Sequence, residues 1–407
     1  MKKTIFVYDD ERQIGKRWQK DLLNIPSVRS AFDVEDLDAD FTQAVTELEE
    51  RRRDARKKDG APLTSNPFDR ASVLIIDFDL FRNENARYLT GEEVAYLARS
   101  YSRCGVIIGI NQFGKDNPFD LTLSGHPESF ADLNLGGRQL AKVGLWSDQW
   151  SGFRPWSWPL INIAVRSLES RTKDLLEGKN LDQPILKYLE FPEEVVTTLP
   201  RSTREFLGNE DDPQNSTFRD FVLHSGNGLR LKDKPISDEF IARIAAARIS
   251  KWLERLILPG QDILVDAPHL VSRYPSLLKG NPETVNTWNQ TTSLRGIAKL
   301  GIGYQRIANF RFQHDAWLSR PAWFWSKLSN FEQIPEVSDP WSMKKTEYVF
   351  CEDISQFVDK KFAREFVAQV TSPFVRRFVI DPTTKEARKL ARDAGEVDYV
   401  PGVRFTL

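Results

Sequence analysis

The sequence predicts an α/β protein. Its N-terminal region is expected to form a doubly wound parallel sheet of five strands, followed by a mostly α or α+β C-terminal region. The first observation is a set of short, near-continuous apolar runs, which are typical of strands buried on both faces. The second is that amphipathic stretches of helical length alternate with these runs through the first 178 residues. That alternation is the pattern of a parallel sheet with helices on both faces.

The central strand is predicted over residues 72–80, a run of β-favouring apolar residues that ends in acids. Asp77 stands where the apolar run stops. A second run, residues 3–8, is predicted as the first strand and leads directly into Asp9 and Asp10. In an open parallel sheet, ligands bind just outside the carboxyl ends of the strands, so acids at these ends are placed for chemistry.

These acids predict a divalent-cation site. If the two strands are neighbours, the carboxylates of Asp9, Asp10 and Asp77 come together, and so much negative charge is tolerated chiefly when a cation binds among them. Mg²⁺ suits such a site because it takes a few carboxylate oxygens and keeps several waters. A single acid at a strand end is more often a helix N-cap, but two neighbouring strands that both end in acids favour the metal interpretation.

The other N-terminal elements follow from spacing and caps. Ile14, Trp18 and Leu22 recur every four residues and predict a helix. Thr90 is a suitable N-cap for a later helix. The remaining predicted elements are a strand over 28–34, a helix over 38–58, a strand over 104–110, a fifth strand over 141–146 and a last helix over 159–176.

Three motifs resemble bacterial response-regulator receiver domains. Residues 5–11 are similar to the first strand and acidic pair of that family, and residues 73–77 to the strand that ends in its phosphoacceptor Asp. Residues 90–94 resemble the start of the helix that follows. The resemblance covers about residues 1–178, which we predict to form a receiver-like domain, with residues 179–407 as an effector or interaction region.

The resemblance implies a chemistry and a partner. Asp9, Asp10 and Asp77 would coordinate Mg²⁺ together with the backbone carbonyl of Asp79. Asp77 would attack a phosphoryl group supplied by a histidine kinase or a phosphotransfer protein. Such transfer depends on neutralising and aligning charge more than on acid–base chemistry.

Two positions depart from the family pattern. Receivers carry Thr or Ser at the end of the fourth strand, where this chain has Ile110 and Asn111. They also carry a Lys-Pro pair after the fifth strand, and the nearest equivalent here is Arg154-Pro155. Arg154 is expected to neutralise phosphoryl charge, although its guanidinium is a planar fork rather than a compact ammonium.

The residues of the C-terminal region show no resemblance to a known family. Residues 208–216 form the best linker candidate, because they combine Gly208 with Asp211-Asp212-Pro213. The clearest helix is capped by Ser237 and stops at Pro259-Gly260. Its polar side, Arg248, Lys251 and Arg255, is predicted to be a solvated face rather than a DNA-reading surface.

Aromatic residues and the C-terminus give further expectations. The four tryptophans between residues 146 and 158 are predicted to pack in a core or between domains rather than to form an exposed surface. The same is expected of the tryptophans within 317–341. The chain is then predicted to close with helices over 357–378 and 384–394 and a short strand over 403–406.

Composition limits the location and the partners. The formal net charge of −1 provides no bulk attraction to nucleic acid or to an anionic membrane, so nucleic acid is not indicated as a partner and no membrane association is expected. Two cysteines far apart in sequence fit a reducing compartment, and the protein is predicted to be cytoplasmic. Four histidines without metal-site spacing are expected to be structural.

Three hypotheses for function follow. The leading one is a signalling protein in which Mg²⁺-dependent phosphorylation of Asp77 controls a non-standard C-terminal effector that meets another protein. The second is a pseudo-receiver that is never phosphorylated and serves as a docking scaffold. The third is an enzyme whose carboxylate cluster supports metal-dependent hydrolysis of nucleic acid or a phosphate ester, which predicts turnover.

Overall fold

The computed structural model describes residues 2–54, 66–80, 89–110, 129–149, 154, 158–208, 212–225, 236–278, 282–292, 307–329, 348–366, 377–381, 383 and 385. The predicted strand over 403–406 lies outside these ranges. So does the predicted helix over 384–394, apart from residue 385.

An all-parallel five-stranded sheet forms the N-terminal region, in the order β2-β1-β3-β4-β5. This is one of the two common orders of doubly wound sheets, and it reverses direction between β1 and β3. The predicted α/β class and five-stranded parallel sheet are confirmed. The strands are β1 Lys3–Tyr8, β2 Phe32–Asp36, β3 Ala71–Asp77, β4 Val106–Ile110 and β5 Leu133–Leu135.

Helices cover both faces of this sheet. Alternate strand residues point to opposite faces, so Ile5 and Val73 join one core cluster while Phe6 and Leu74 join another. The first cluster includes side chains of α1 and α6, and the second includes side chains of α3 and α4. The N-terminal helices are α1 Arg12–Leu23, α2 Pro26–Ala31, α3 Phe41–Asp54, α4 Gly91–Tyr101, α5 Gly137–Leu140 and α6 Ile161–Leu176.

Two predicted strands are placed differently in the structure. The strand predicted over 28–34 is Phe32–Asp36, because Pro26 occupies the first turn of the helix α2 instead. The fifth strand predicted over 141–146 is wrong. Residues 143–145 form a 3₁₀ turn, and β5 is the short segment Leu133–Leu135, which pairs with Ile108–Ile110.

The C-terminal region begins with helices around the long helix α11. Ser237 caps α11 with its side chain, as predicted, and a π-helical turn over Leu253–Ile257 continues it. Its apolar residues form a core with α7, α9 and α10. The helices are α7 Ile185–Tyr188, α8 Glu193–Thr198, α9 Arg201–Phe206, α10 Phe218–His224, α11 Asp238–Trp252, α12 Ala267–Arg273, α13 Pro282–Thr292 and α14 Trp325–Ser329.

Two small sheets complete the described C-terminal part. Strands β6 and β7 pair antiparallel, and a four-stranded sheet has the order β10-β11-β8-β9. The helix predicted over 357–378 is wrong for its described residues, because β9 and β10 pair with β8 and β11 there. The strands are β6 Leu264–Asp266, β7 Ala322–Phe324, β8 Tyr348–Cys351, β9 Gln356–Asp359, β10 Ala363–Phe366 and β11 Arg377–Ile380.

The polar side of α11 is not the solvated face that its spacing predicts. Arg248, Lys251 and Arg255 are buried, and each donates hydrogen bonds to backbone carbonyls within residues 129–132 of the N-terminal region. A stripe of cations at helical spacing has the same sequence pattern whether it meets water or carbonyl oxygens. Only the fold, which brings residues 129–132 of the same chain against α11, distinguishes the two cases.

The N-terminal and C-terminal cores share elements. Ile161 and Val165 of α6 pack with the five-stranded sheet, whereas Leu168 and Leu175 of the same helix join the core around α11. Val379 of β11 also belongs to the core of the five-stranded sheet. The two regions therefore pack against each other through apolar side chains as well as through the cations of α11.

Packing of the tryptophans follows the prediction where they are described. Trp146, Trp158, Trp317 and Trp323 are buried, and Trp325 is half-buried against the core that contains Trp323. The remaining predicted tryptophans, Trp150, Trp156 and Trp341, lie outside the described residues. Both cysteines are buried free thiols. Among the described residues, no helix combines the length and apolar character that crossing a membrane requires.

Candidate metal centre

The register of β1 and β3 brings two acids to the same point of the sheet. Tyr8 pairs with Ile76, so the next residues along the two parallel strands, Asp9 and Asp77, stand side by side. Tyr8 and Ile76 point toward α3 and α4. Because side chains alternate between faces, Asp9 and Asp77 are on the same side of the sheet as Val7 and Ile75, which pack with α1 and α6. The acids also lie at the carboxyl ends of β1 and β3, where the strand order reverses and where ligands bind in such sheets.

Asp10 completes the cluster. One carboxylate oxygen from each of Asp9, Asp10 and Asp77 lies within 4.8 Å of the other two. The prediction that these three acids meet is therefore confirmed in geometry. Three oxygen donors at this separation fit a hard divalent cation that keeps some of its waters, as Mg²⁺ does.

Burial sets the electrostatics of the cluster. Asp9 is 5% exposed and Asp77 is 8% exposed, while Asp10 is half-buried. Burial raises the pKa of Asp9 to about 6, and the negative charges of Asp10 and Glu11 add to that rise. The Glu11 backbone N–H opposes it by donating a 2.7 Å hydrogen bond to Asp9 Oδ1. A cation bound beside Asp9 would favour its ionised form and lower its pKa.

Helix α4 begins against the backbone of Asp77. The Gly91 amide donates a 2.9 Å hydrogen bond to the Phe78 carbonyl. A Cβ at Gly91 would lie 2.3 Å from the Asp77 carbonyl oxygen, which is closer than atoms can approach. Thr90 caps the helix as predicted, since its hydroxyl accepts from the Glu93 amide. Glycine at this position is therefore what allows the helix to start beside Asp77.

A fourth acid at this edge was not predicted. Asp36 ends β2, and its Oδ1 would lie 3.6 Å from a Cβ at Gly15, while Asp9 Cβ would lie 3.8 Å from the same point. Burial raises the pKa of Asp36, and the charge of Asp38 adds to the rise. The signal was a third strand that ends in an acid, but the misplaced boundary of β2 concealed it.

Three further positions were singled out from the sequence: Asp79, Ile110 and Asn111. Asp79 is exposed and forms a bridge with Thr90, and its role as a backbone ligand stays a prediction. Ile110 is buried and pairs with Asp77, so an apolar residue ends β4 where the receiver family has a hydroxyl. Asn111 is outside the described residues.

Arg154 lies beside the four-stranded sheet. Its amide donates a 2.9 Å hydrogen bond to the Asp353 carbonyl, and its carbonyl accepts one of 2.6 Å from Ser355 Oγ. It does not directly follow the fifth strand, because that strand ends at Leu135. Its role in neutralising phosphoryl charge stays a prediction.

No protein-family model, curated protein or solved structure matches this chain significantly. The functional conclusion therefore rests on the geometry of the site.

Proposed function

We propose that residues 1–178 act as a receiver-like domain that accepts a phosphoryl group on Asp77 with Mg²⁺ bound by Asp9, Asp10 and Asp77. The observation that supports this most is the meeting of these three carboxylates within 4.8 Å at the carboxyl edge of a parallel sheet. The strand order, with its reversal between β1 and β3, puts this cluster where such sheets bind ligands.

In this reaction, a carboxylate oxygen of Asp77 is the nucleophile. It forms a bond to phosphorus while the bond from phosphorus to the leaving group of the donor breaks, and the leaving group takes that electron pair. The product is an acyl phosphate. A bound Mg²⁺ supplies charge neutralisation and alignment of the phosphoryl oxygens. Asp9 and Asp10 would hold that charge next to the nucleophile, and the burial of Asp9 limits screening by water.

Partners follow from the same chemistry. The donor would be a histidine kinase or a phosphotransfer protein, and the C-terminal region would be the part whose contacts with another protein depend on the state of Asp77. The buried, unpaired cysteines fit a cytoplasmic location.

A Mg²⁺ titration by calorimetry tests the metal requirement. We expect wild type to bind one Mg²⁺ and expect Asp9→Asn and Asp77→Asn to bind it more weakly, because each loses a charged oxygen ligand. Unchanged binding by both variants would contradict the assignment of the ligands. Hydrolysis of a phosphate ester or nucleic acid by wild type that Asp9→Ala abolishes would instead favour the hydrolase.

A second function, a docking scaffold that is never phosphorylated, is favoured by one observation. Ile110, beside Asp77, offers an apolar side chain where receivers use a hydroxyl. A scaffold has no need of a metal. Failure of the folded wild-type protein both to bind Mg²⁺ and to accept phosphate would favour this function.

A further inference from the structure

Glu92 links the start of α4 to a segment of the chain that precedes β5. It is the second residue of α4, directly after the glycine that abuts Asp77. Its Oε2 accepts a 2.7 Å hydrogen bond from Ser129 Oγ, and its Oε1 accepts a hydrogen bond from the Phe130 amide. The position of residues 129–130 therefore depends on the first turn of α4, the helix that begins beside the Asp77 carbonyl.

The same segment is where α11 contacts the N-terminal region. The Ser129 carbonyl accepts hydrogen bonds from Arg248 Nη1, at 2.9 Å, and from Lys251 Nζ. Arg255 Nη2 donates to the Asp132 carbonyl, also at 2.9 Å. Three buried cations of one helix are thus satisfied largely by carbonyl oxygens of residues 129–132, which we call the docking segment.

Arg248 adds a stacking contact across the same boundary. Its guanidinium carbon lies 4.2 Å from the ring centroid of Phe130 and 5.6 Å from that of Phe206. It therefore stands between one ring from the docking segment and one from the core around α11. Cation–π contacts of a desolvated guanidinium are among the stronger ones, so a shift of Phe130 alters the contact of α11 directly.

Glu92 also provides charge to this contact. Burial lowers the pKa of Lys251, and the neighbouring Arg255 and Arg248 lower it further, whereas the negative charges of Glu92 and Asp132 raise it. The same two acids act on Arg255. A buried cation needs such partners, because an uncompensated one is strongly unfavourable. Glu92 thus contributes both hydrogen bonds to the docking segment and counter-charge to the helix that binds it.

From these contacts, and resting on the proposed function, we infer that Glu92 couples the state of Asp77 to the docking of α11. Phosphorylation of Asp77 displaces the first turn of α4, and Glu92 transmits this displacement to the docking segment. The carbonyl oxygens of that segment then bind Arg248, Lys251 and Arg255 less tightly. The two states are Glu92 bonded to residues 129–130 and Glu92 released from them. Coupling between sites of this kind is typically about 5- to 150-fold in an equilibrium constant.

Amide hydrogen exchange in the full chain tests the inference. The probes are Mg²⁺ with acetyl phosphate, the reporters are the Phe130 amide and the amides of α11, and intact mass measures the phosphate adduct in the same samples. In wild type we expect exchange at these amides to accelerate by about fivefold or more on modification. Glu92→Gln should take up phosphate as wild type does but show no such acceleration, because its link to the docking segment is already weakened.

Glu93→Gln is the matched control. Glu93 lies next to Glu92 in the same helical turn, but its carboxylate accepts from Thr90 instead. Glu93→Gln should take up phosphate and show accelerated amide exchange as wild type does. Ser129→Ala, which removes one hydrogen bond to Glu92 and leaves the charge, provides a milder variant should Glu92→Gln fold poorly, and should reduce the acceleration.

Three outcomes would overturn the inference. One is an adduct on wild type with unchanged exchange in α11, and another is full acceleration in both Glu92→Gln and Ser129→Ala. In both cases phosphorylation of Asp77 would stand and only the coupling would fail. The third is no adduct on folded wild type, which removes the proposed function and the coupling with it.

Discussion

Among single residues, Asp9 has the most altered chemistry in the cluster. Its folded-state pKa of about 6 is above the ordinary 3.8, so the folded chain binds this proton more tightly than the unfolded chain. Stability from this group is therefore fully present at low pH and declines as pH rises through the interval between the two values. At neutral pH the ionised, buried Asp9 opposes folding when no cation is bound.

Asp9→Asn should therefore stabilise the metal-free protein. Asn keeps an oxygen that can accept from the Glu11 amide but loses the buried charge. After a discount for partial solvent screening, we expect the free energy of unfolding to rise by about 1–2 kcal/mol at pH 7.5. Denaturant unfolding in a chelator measures this, and Asp10→Asn, at the less buried acid, is the control with a smaller effect. A loss of stability in Asp9→Asn would contradict this account of the cluster.

The pH dependence of Mg²⁺ affinity follows from the same pKa. Mg²⁺ binds the ionised carboxylate, so affinity should be full above about pH 6 and should fall as pH drops through that value, by up to about tenfold per pH unit. Calorimetric titrations at pH 5.0 and pH 8.0 compare the two regimes. Asp9→Asn should show a weaker dependence over this interval, and equal pH dependence in variant and wild type would assign the titration to another group.

The sequence could predict a site residue only where it ends a recognisable apolar strand. Asp9 and Asp77 were predictable because each ends an apolar run, and parallel pairing brings such ends together. Asp36 was not, because the boundary of its strand depends on Pro26 starting a helix. Glu92 has no sequence signal beyond its place in a capping turn, since its partners at residues 129–130 are distant in sequence.

For the elements, the junction between β3 and α4 is the most constrained. Gly91→Ala would put a methyl group 2.3 Å from the Asp77 carbonyl oxygen, and neighbouring backbone cannot move cheaply. We expect a loss of stability of about 1–3 kcal/mol or more, as for other overpacked sites, together with weaker Mg²⁺ binding. Thermal unfolding and titration measure the two effects.

Gly15→Ala is the control for this substitution. Gly15 also lies in a helix near the acidic cluster, but a Cβ there would meet its neighbours at 3.6 Å or more, an ordinary contact. Since alanine favours helix over glycine by up to about 1 kcal/mol, this variant should be neutral or more stable. If both glycine variants lost stability equally, the close approach at Gly91 would not be the cause.

Long elements with a clear apolar pattern could be predicted from the sequence, whereas short elements defined by their pairing partners could not. Strands β1, β3 and β4 were predicted because each is a continuous apolar run, and α11 because its cap and apolar stripe agree. Strand β5 has three residues, and its hydrogen bonds to β4 rather than its composition define it. Residues 356–366 have an apolar spacing compatible with a helix. They form strands instead, because β9 pairs with β8 and β10 pairs with β11.

Across the whole molecule, α6 joins the two regions. Ile161 and Val165 belong to the core of the parallel sheet, and Leu168 and Leu175 belong to the core around α11. Since one helix is shared, neither core can lose it without exposing apolar surface in both. The boundary predicted at residues 178 and 179 stays a prediction, because sequence alone does not reveal which faces of a helix are buried by which partner.

This sharing predicts a single unfolding transition for both regions. Leu175→Ala should cost about 2–5 kcal/mol, as for other buried leucines, and should shift the unfolding of both regions together. Hydrogen exchange with increasing denaturant can follow β1 and α10 separately in the same sample. Unfolding of α10 at a lower denaturant concentration than β1, with β1 unaffected by the substitution, would show that the two regions are independent.

The most direct test of the central claim is the intact mass of the protein after incubation with Mg²⁺ and acetyl phosphate, for wild type and Asp77→Asn side by side. The proposal that Asp77 is the phosphoacceptor predicts one phosphate adduct on wild type, none on folded Asp77→Asn, and none on wild type when Mg²⁺ is chelated. An adduct of equal yield on Asp77→Asn, or no adduct on folded wild type, would contradict it.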